Sequence, residues 1–256
     1  MKILVCIKPV KKHMISECVE LCEKYCINPY DMFALNEAIK IKGSYSNISV
    51  DCVCMGADDS VEVLRRCLAL GADDVYLLSD SLFAGSDTIA TSYTLSRFIE
   101  THGYDYVFCG CKSIDGETGQ VVYGLSERLK FECITKVANI ISVKDNSIEA
   151  IRIGDEFDEH IITDEKKIIV FKDFSIETSI SLIAIKRAGR KNINILSAED
   201  LSVVPANCGQ KGSKTQIVGT IDIVEKRKCQ FLNRDIDENC SFLNKILEET
   251  VSEGLK

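Results

Sequence analysis

The chain has 256 residues, 46% of them hydrophobic, enough for one large α/β domain or one domain with an arm. Its formal net charge of −8 argues against a nucleic-acid or anionic-membrane surface. The opening MKILVCIKPV has an apolar run too short for a signal peptide, interrupted by Lys8, and no apolar run approaches the ~18 residues of a membrane span, so a cytoplasmic protein is expected.

The first half alternates strand and helix patterns. KILVCI reads as a buried strand, and KKHMISECVELCEKYC as a short helical segment. DMFALNEAIKIK is a predicted helix, NISVDCVCM a strand, and DDSVEVLRRCLALG a helix capped by Asp58 or Asp59 and stopped at Gly71. DDVYLLS is a strand, followed by a helix over SDTIATSYTLSRFIETHG with Ser86 or Asp87 as cap and Gly103 as stop. YDYVFCG is a strand and ETGQVVYGLSERLK a helix. Short apolar strands alternating with amphipathic helices predict an open, mostly parallel, doubly wound sheet. Beyond Phe131, CITKVANIISV, SIEAIRIG, EHIITDE and KKIIVFKD read as antiparallel strands extending the sheet edge. A loop, the basic helix IAIKRAGRK, the segment NINILSAEDL, a polar linker NCGQKGSK, one more strand and an acidic helix complete the chain.

Thirteen cysteines occur without a tryptophan. The count is odd and no secretory signal accompanies it, so reduced thiols packed as small hydrophobes are expected rather than a disulfide framework. Cys18, Cys22 and Cys26 fall on one helical face, the one spacing that suggests a metal, but no CxxC pair accompanies them. No GxGxxG, GxxxxGK[ST], HExxH or GxSxG motif is present, and the three histidines lie in unrelated contexts, so no catalytic residue is assigned.

The stretch GCKSIDGETGQV, residues 110–121, lies between an apolar strand and a helix, where open α/β sheets bind ligands. Gly116 and Gly119 would admit an anion to the backbone, with Thr118 and Gln120 as added donors. Asp115 and Glu117 oppose this unless they point away. The bland alternative is a capped turn that binds nothing.

CINPYDMFALNEAIKIK resembles the NPxDxxAxxEAxxLK signature of the electron transfer flavoprotein β subunit. MKILVCIKPV is similar to that family's first strand and VKxV turn, VCMGADDSVEVLRRCLALGADDVYLLSD to its GPxxxxxxLRxALAMGADxAxxV helix and strand, and GCKSIDGETGQV to its GKQAIDxDxxQxG loop. FKDFSIETSISLIAIKRAGRKNI aligns without a gap on the partner-docking loop and basic helix.

The resemblance implies an adenine nucleotide alpha hydrolase-like fold over residues 1–192, with residues 170–192 docking partners, and a C-terminal arm, residues 193–256, that contacts an α subunit. It implies a heterodimer that passes electrons to or from a flavin-containing dehydrogenase, acyl-CoA dehydrogenase-like or other. The β site of simple members holds AMP; that of bifurcating members holds a second FAD that takes hydride from NADH. Carried over by position, the site comprises Cys6, then Asn28, Pro29, Tyr30 and Asp31, then Met55. It continues through Gly110, Cys111, Lys112, Ser113, Ile114 and Asp115 to Gly116, Glu117, Thr118, Gly119, Gln120 and Val121. DGETGQVV is nearer the bifurcating DGDTAQVG than the simple DDDxNQTG, which favours FAD over AMP. Any NADH oxidation is expected of the heterodimer alone.

Two departures qualify the match. The segment before NPYD is shorter than the family's hairpin-like one. The docking loop reads SIETSISL in place of NEPRxPSL, without its prolines, which puts the usual dehydrogenase partner in doubt. Leu182 falls at the docking leucine, or else packs on its own subunit. Lys186, Arg187 and Arg190 form a docking patch or a solvated helix face. The competing class is a universal-stress-type nucleotide-binding protein.

Overall fold

A computed structural model describes residues 1–15, 24–163, 166–176, 180–216, 218–219 and 235–254. The chain divides into two compact units, Met1–Gln216 and Ile217–Lys256. In chain order the first unit contains β1 (Lys2–Cys6), β2 (Pro9–Lys11), β3 (Tyr25–Ile27), α1 (Pro29–Ser44), β4 (Ser49–Met55), α2 (Val61–Leu70) and β5 (Val75–Leu78). It continues with α3 (Thr88–His102), β6 (Tyr106–Gly110), α4 (Val121–Leu129), β7 (Glu132–Lys144), β8 (Ser147–Ile153), β9 (Asp158–Thr163), β10 (Lys167–Phe171), α5 (Leu182–Ala188), β11 (Asn194–Leu196) and α6 (Gly209–Gly212). The second unit holds α7 (Ile236–Gly254).

The main sheet runs β11-β5-β4-β1-β6-β10-β7-β8-β9. From β11 to β7 every pairing is parallel, and β7, β8 and β9 pair antiparallel. The fold is therefore the expected doubly wound α/β sheet with an antiparallel edge. Period-two alternation divides its core. Ile3, Val5 and Cys54 pack with Leu35 and Ala38 of α1 and Leu64 of α2. Leu4, Val53 and Val107 turn to the other face, against Phe98 of α3 and Leu125 of α4.

Four expectations are corrected. KIIVF forms β10, parallel and central between β6 and β7, because all five residues are buried and such a run needs cover on both faces. At the two ends of the segment expected as helical the chain is extended instead, with Lys11 of β2 opposite Tyr25 of β3 and Val10 opposite Cys26; Lys12–Met14 form a 3-10 turn, and residues 16–23 lie outside the described residues. Cys18 and Cys22 lie outside the described residues, while Cys26 sits on β3 and is disulfide-bonded. Nine other described cysteines are free. Residues 193–216 belong to the first unit rather than to an arm, because β11 adds to β5 at the sheet edge. The extra strand expected before α7 falls on residues that are largely not described.

Local signals explain the helix ends. Asp87 Oδ1 accepts from the amides of Ile89 and Ala90 at the start of α3, and Gly103, at φ 65°, ends it. Neither Asp58 nor Asp59 caps α2. A short 3-10 turn, Asp58–Ser60, precedes that helix, Asp58 accepts from Ser79 Oγ, and Asp59 pairs with Lys24. α4 starts at Val121 because Glu117 and Gly119 adopt left-handed φ values of 49° and 60°.

Candidate functional site

The carboxyl ends of β1, β4 and β6 open into a cleft of about 360 Å³, where the chain crosses from one side of β1 to the other. Its floor is apolar, including Cys6, Val53, Met55, Leu95 and Leu125. The starts of α3 and α4 converge on it through Thr88 and Thr91 and through Gln120 and Val121. Gly124 permits this convergence, since a Cβ there would lie 2.5 Å from Ser92 Oγ.

The NPYD segment builds the frame. Asn28 Nδ2 donates to the carbonyl of Lys112 at 2.9 Å, and its Oδ1 accepts from the amide of Ile114 at 3.3 Å. Asp31 accepts from the amides of Lys8 at 2.8 Å and Gly110 at 3.3 Å. One helical turn thus ties the ends of β1 and β6 to the loop between β6 and α4. Gly110 allows α1 to approach: a Cβ there would meet Tyr30 Cβ at 2.5 Å and Asp31 Oδ1 at 2.7 Å. Burial pushes the Asp31 carboxyl up to about 7, against the bonds from Lys8, Asn28 and Gly110 and the charge of Lys8.

The loop acids point away from the cleft. Lys8 Nζ pairs with Asp115 at 2.7 Å and donates to Ser113 Oγ, while Lys112 Nζ pairs with Glu117 at 3.1 Å. Burial opposes ionisation of Asp115, but Ser113 and Lys8 outweigh it and hold that carboxyl below its usual range. Thr118, Gly119, Gln120 and Val121 line the cleft and Asp115, Gly116 and Glu117 do not. Gly119 is a tight cradle, where a Cβ would stand 2.9 Å from the Cys111 carbonyl.

Of the residues carried over by position, the structure brings Cys6, Asn28, Asp31, Met55, Gly110, Cys111, Lys112, Ser113 and the 118–121 run to this cleft. Pro29, Tyr30 and Ile114 fall outside its lining; Tyr30 packs on Phe174, with ring centroids 5.9 Å apart. The sequence reading missed Ser86, Asp87, Thr88 and Thr91, which line the opposite wall. Their signal was the capped start of α3, recognised as a helix end but not as part of a site.

Away from the cleft, Leu182 is 81% exposed and Ile183 74%, so neither packs in the core. Ser181 Oγ caps α5 by accepting from the Ala184 amide. Ile183, Lys186, Arg187, Arg190 and Lys191 line a surface groove. Arg65 of α2 holds the end of α5 by donating to the carbonyls of Ala188 and Lys191. Among the described residues no group of three or more His, Cys, Asp or Glu is arranged to hold a metal, and no helix is long and apolar enough to cross a membrane.

The family model of the electron transfer flavoprotein domain matches residues 15–201. The electron transfer flavoprotein subunit beta of Thermoanaerobacterium thermosaccharolyticum is 35% identical over 233 residues, 91% of this chain and 88% of that one. CarD, a caffeyl-CoA reductase-Etf complex subunit of Acetobacterium woodii, is 34% identical over 192 residues, 75% of this chain and 73% of its own. Protein FixA of Rhizobium meliloti is 37% identical over 200 residues, 75% and 68% of the two chains. With a matched model over most of its length and relatives of this identity and coverage, the chain belongs to the electron transfer flavoprotein family, among its β subunits and FixA proteins.

Proposed function

We propose that the cleft holds an adenine nucleotide, FAD, and that the chain works in the cytoplasm as one half of a heterodimer with an electron transfer flavoprotein α subunit. The assembly passes electrons between NADH and a flavin-containing dehydrogenase, with electron bifurcation. The observation that carries this reading is the cleft's composition: an apolar floor, two converging helix starts, and loop acids turned onto Lys8 and Lys112.

The residues present fit such a group. The strand ends at Cys6 and Met55 receive the base on an apolar surface. The 119–122 backbone at the start of α4, with Thr88, Thr91 and Thr118, supplies donors for phosphate, and Gly119 keeps that backbone bare of a side chain. Asn28 and Asp31 hold the wall in place and keep their hydrogen-bonding atoms for the protein. When bound, FAD supplies hydride acceptance and single-electron transfer. The name of CarD, which places that relative in a caffeyl-CoA reductase-Etf complex, supports a dehydrogenase-type partner.

AMP is the second reading, favoured by one observation: of the two glycines expected to admit an anion to the backbone, Gly116 lies outside the cleft lining, which leaves Gly119 alone and suits a single phosphate. Co-expression with an α subunit and analysis of the released cofactors separates the two. Two FAD per heterodimer is expected; one FAD with one AMP gives the AMP reading, and no adenine nucleotide beyond a single FAD overturns both. In the FAD case NADH should bleach the flavin, and exchange of the β-site nucleotide for AMP should abolish the response.

A further inference from the structure

Cys6 ends β1, and Cys109 stands on β6 one step beyond the register pair Val5–Phe108. Neighbouring strands lie about 4.8 Å apart, inside the roughly 4.4–6.8 Å Cα separation that a disulfide spans. Both side chains join the core on the α3 and α4 face, and both line the cleft. Both are free thiols, Cys6 half-buried and Cys109 buried. The neighbouring Cys6 side chain, together with burial, pushes the Cys109 thiol up. Cys111 is engaged elsewhere, donating to the Lys172 carbonyl.

We propose that Cys6 and Cys109 form a peroxide-oxidisable dithiol in the cleft floor, and that its oxidation reversibly weakens nucleotide binding. The second half rests on the reading of the cleft as a nucleotide site. The half-buried Cys6 sulfur attacks one oxygen of hydrogen peroxide; the O–O bond breaks, the hydroxyl leaves with the Cys6 thiol proton as water, and Cys6 becomes a sulfenic acid. The Cys109 sulfur then attacks the Cys6 sulfur, the S–O bond breaks, and the hydroxyl leaves with the Cys109 proton as water. Two thiols and one peroxide give one disulfide and two waters, the sulfurs losing two electrons that the peroxide gains. Register neighbours on adjacent strands hold their Cβ atoms farther apart than the ~3.8 Å of a relaxed disulfide. The bridge therefore draws the two strand ends together where the floor is shaped, and a thiol reductant releases it readily.

The test treats the full chain with a small excess of hydrogen peroxide, blocks remaining thiols, maps peptides by mass, and titrates AMP before and after. A Cys6–Cys109 peptide pair lighter by two hydrogens is expected. AMP affinity should fall about tenfold, the scale of one lost polar contact, and recover with dithiothreitol. Cys109→Ser should remove both effects, and Cys109→Ala serves if the serine does not fold. Bridges to Cys111 or Cys133 alone, or sulfinic and sulfonic products without the pair, overturn the dithiol. A bridge that leaves AMP affinity unchanged overturns its coupling to the cleft. A bridge that forms in a reduced chain unable to bind AMP upholds the dithiol and counts against the nucleotide reading instead.

Discussion

Asn28 donates to the carbonyl of Lys112, 84 positions further along the chain, and the same side chain accepts from the amide of Ile114. A residue 1% exposed thus completes the polar groups of a loop far from it in the chain. Asn28→Ala leaves both loop groups without that partner. It should destabilise the protein by about 2–3 kcal/mol, read by urea unfolding, and weaken AMP binding. Pro29→Ala, which removes neither bond, should cost less than about 1 kcal/mol. Equal effects of the two substitutions would mean that the Asn28 clamp contributes nothing of its own.

Asp31 makes stability depend on pH. Its carboxyl titrates at about 7 in the folded protein against 3.8 as its ordinary value, so between them the native state binds more protons. Stability from this group is fully present below about 3.8 and is lost as pH rises through about 7. Relative to Asp31→Asn, the wild type should gain a few kcal/mol on acidification from pH 8 to pH 4, at about 1.4 kcal/mol per pH unit. Asp115, held low by Ser113 and Lys8 against burial, works in the opposite sense but is common to both proteins. Parallel stability curves for the two proteins would show that Asp31 is not protonated in this range.

Two glycines that read alike in the sequence should behave differently. Gly119 has φ 60° and its Cβ would meet the Cys111 carbonyl at 2.9 Å, whereas a Cβ on Gly116 would meet only Ser113 Oγ at 3.6 Å and Lys8 Nζ at 3.8 Å. Gly119→Ala carries a left-handed cost of about 1 kcal/mol or more and pushes a cleft-lining turn aside. A loss of AMP affinity on the order of tenfold or more is expected by calorimetry, while Gly116→Ala should stay near wild type. Wild-type affinity in a folded Gly119→Ala protein would remove this turn from the binding site.

Legibility followed the range of the interactions. Caps and stops are local, so Asp87, Gly71 and Gly103 could be read directly, and short continuous apolar runs such as KILVC and YVFCG marked the parallel strands. The central place of β10 was written in KIIVF as a run with no polar face, but its position after three strands that pair as an edge masked it. The wall formed by Thr88 and Thr91 was hidden because facing α4 depends on the sheet order and on Gly124 lying against Ser92. Asp115 looked hostile to an anion because its partner Lys8 reaches it only once β1 and β6 lie side by side, and Glu117 because its pairing with Lys112 depends on how the loop between them turns.

The last prediction concerns Leu182. At 81% exposed, beside Ile183 at 74%, it makes no core contact that its removal could disturb, and its neighbour Ser181 caps α5 independently of it. The helix itself is fixed from behind by Arg65 and by the buried Ala188, so an apolar tip is presented on a held base, with Lys186, Arg187 and Arg190 next to it. Exposed apolar anchors of this kind carry much of the energy at transient interfaces. Leu182→Ala should weaken electron transfer to the cognate dehydrogenase about thirtyfold, the equivalent of about 2 kcal/mol. Melting temperature and flavin content should stay near wild type, because nothing in the fold rests on this side chain. A lowered melting temperature with lost flavin would mean that Leu182 supports the subunit itself. Unchanged electron transfer would move the docking role to the basic groove, where Arg187→Glu would then be the substitution that slows association, most strongly at low salt.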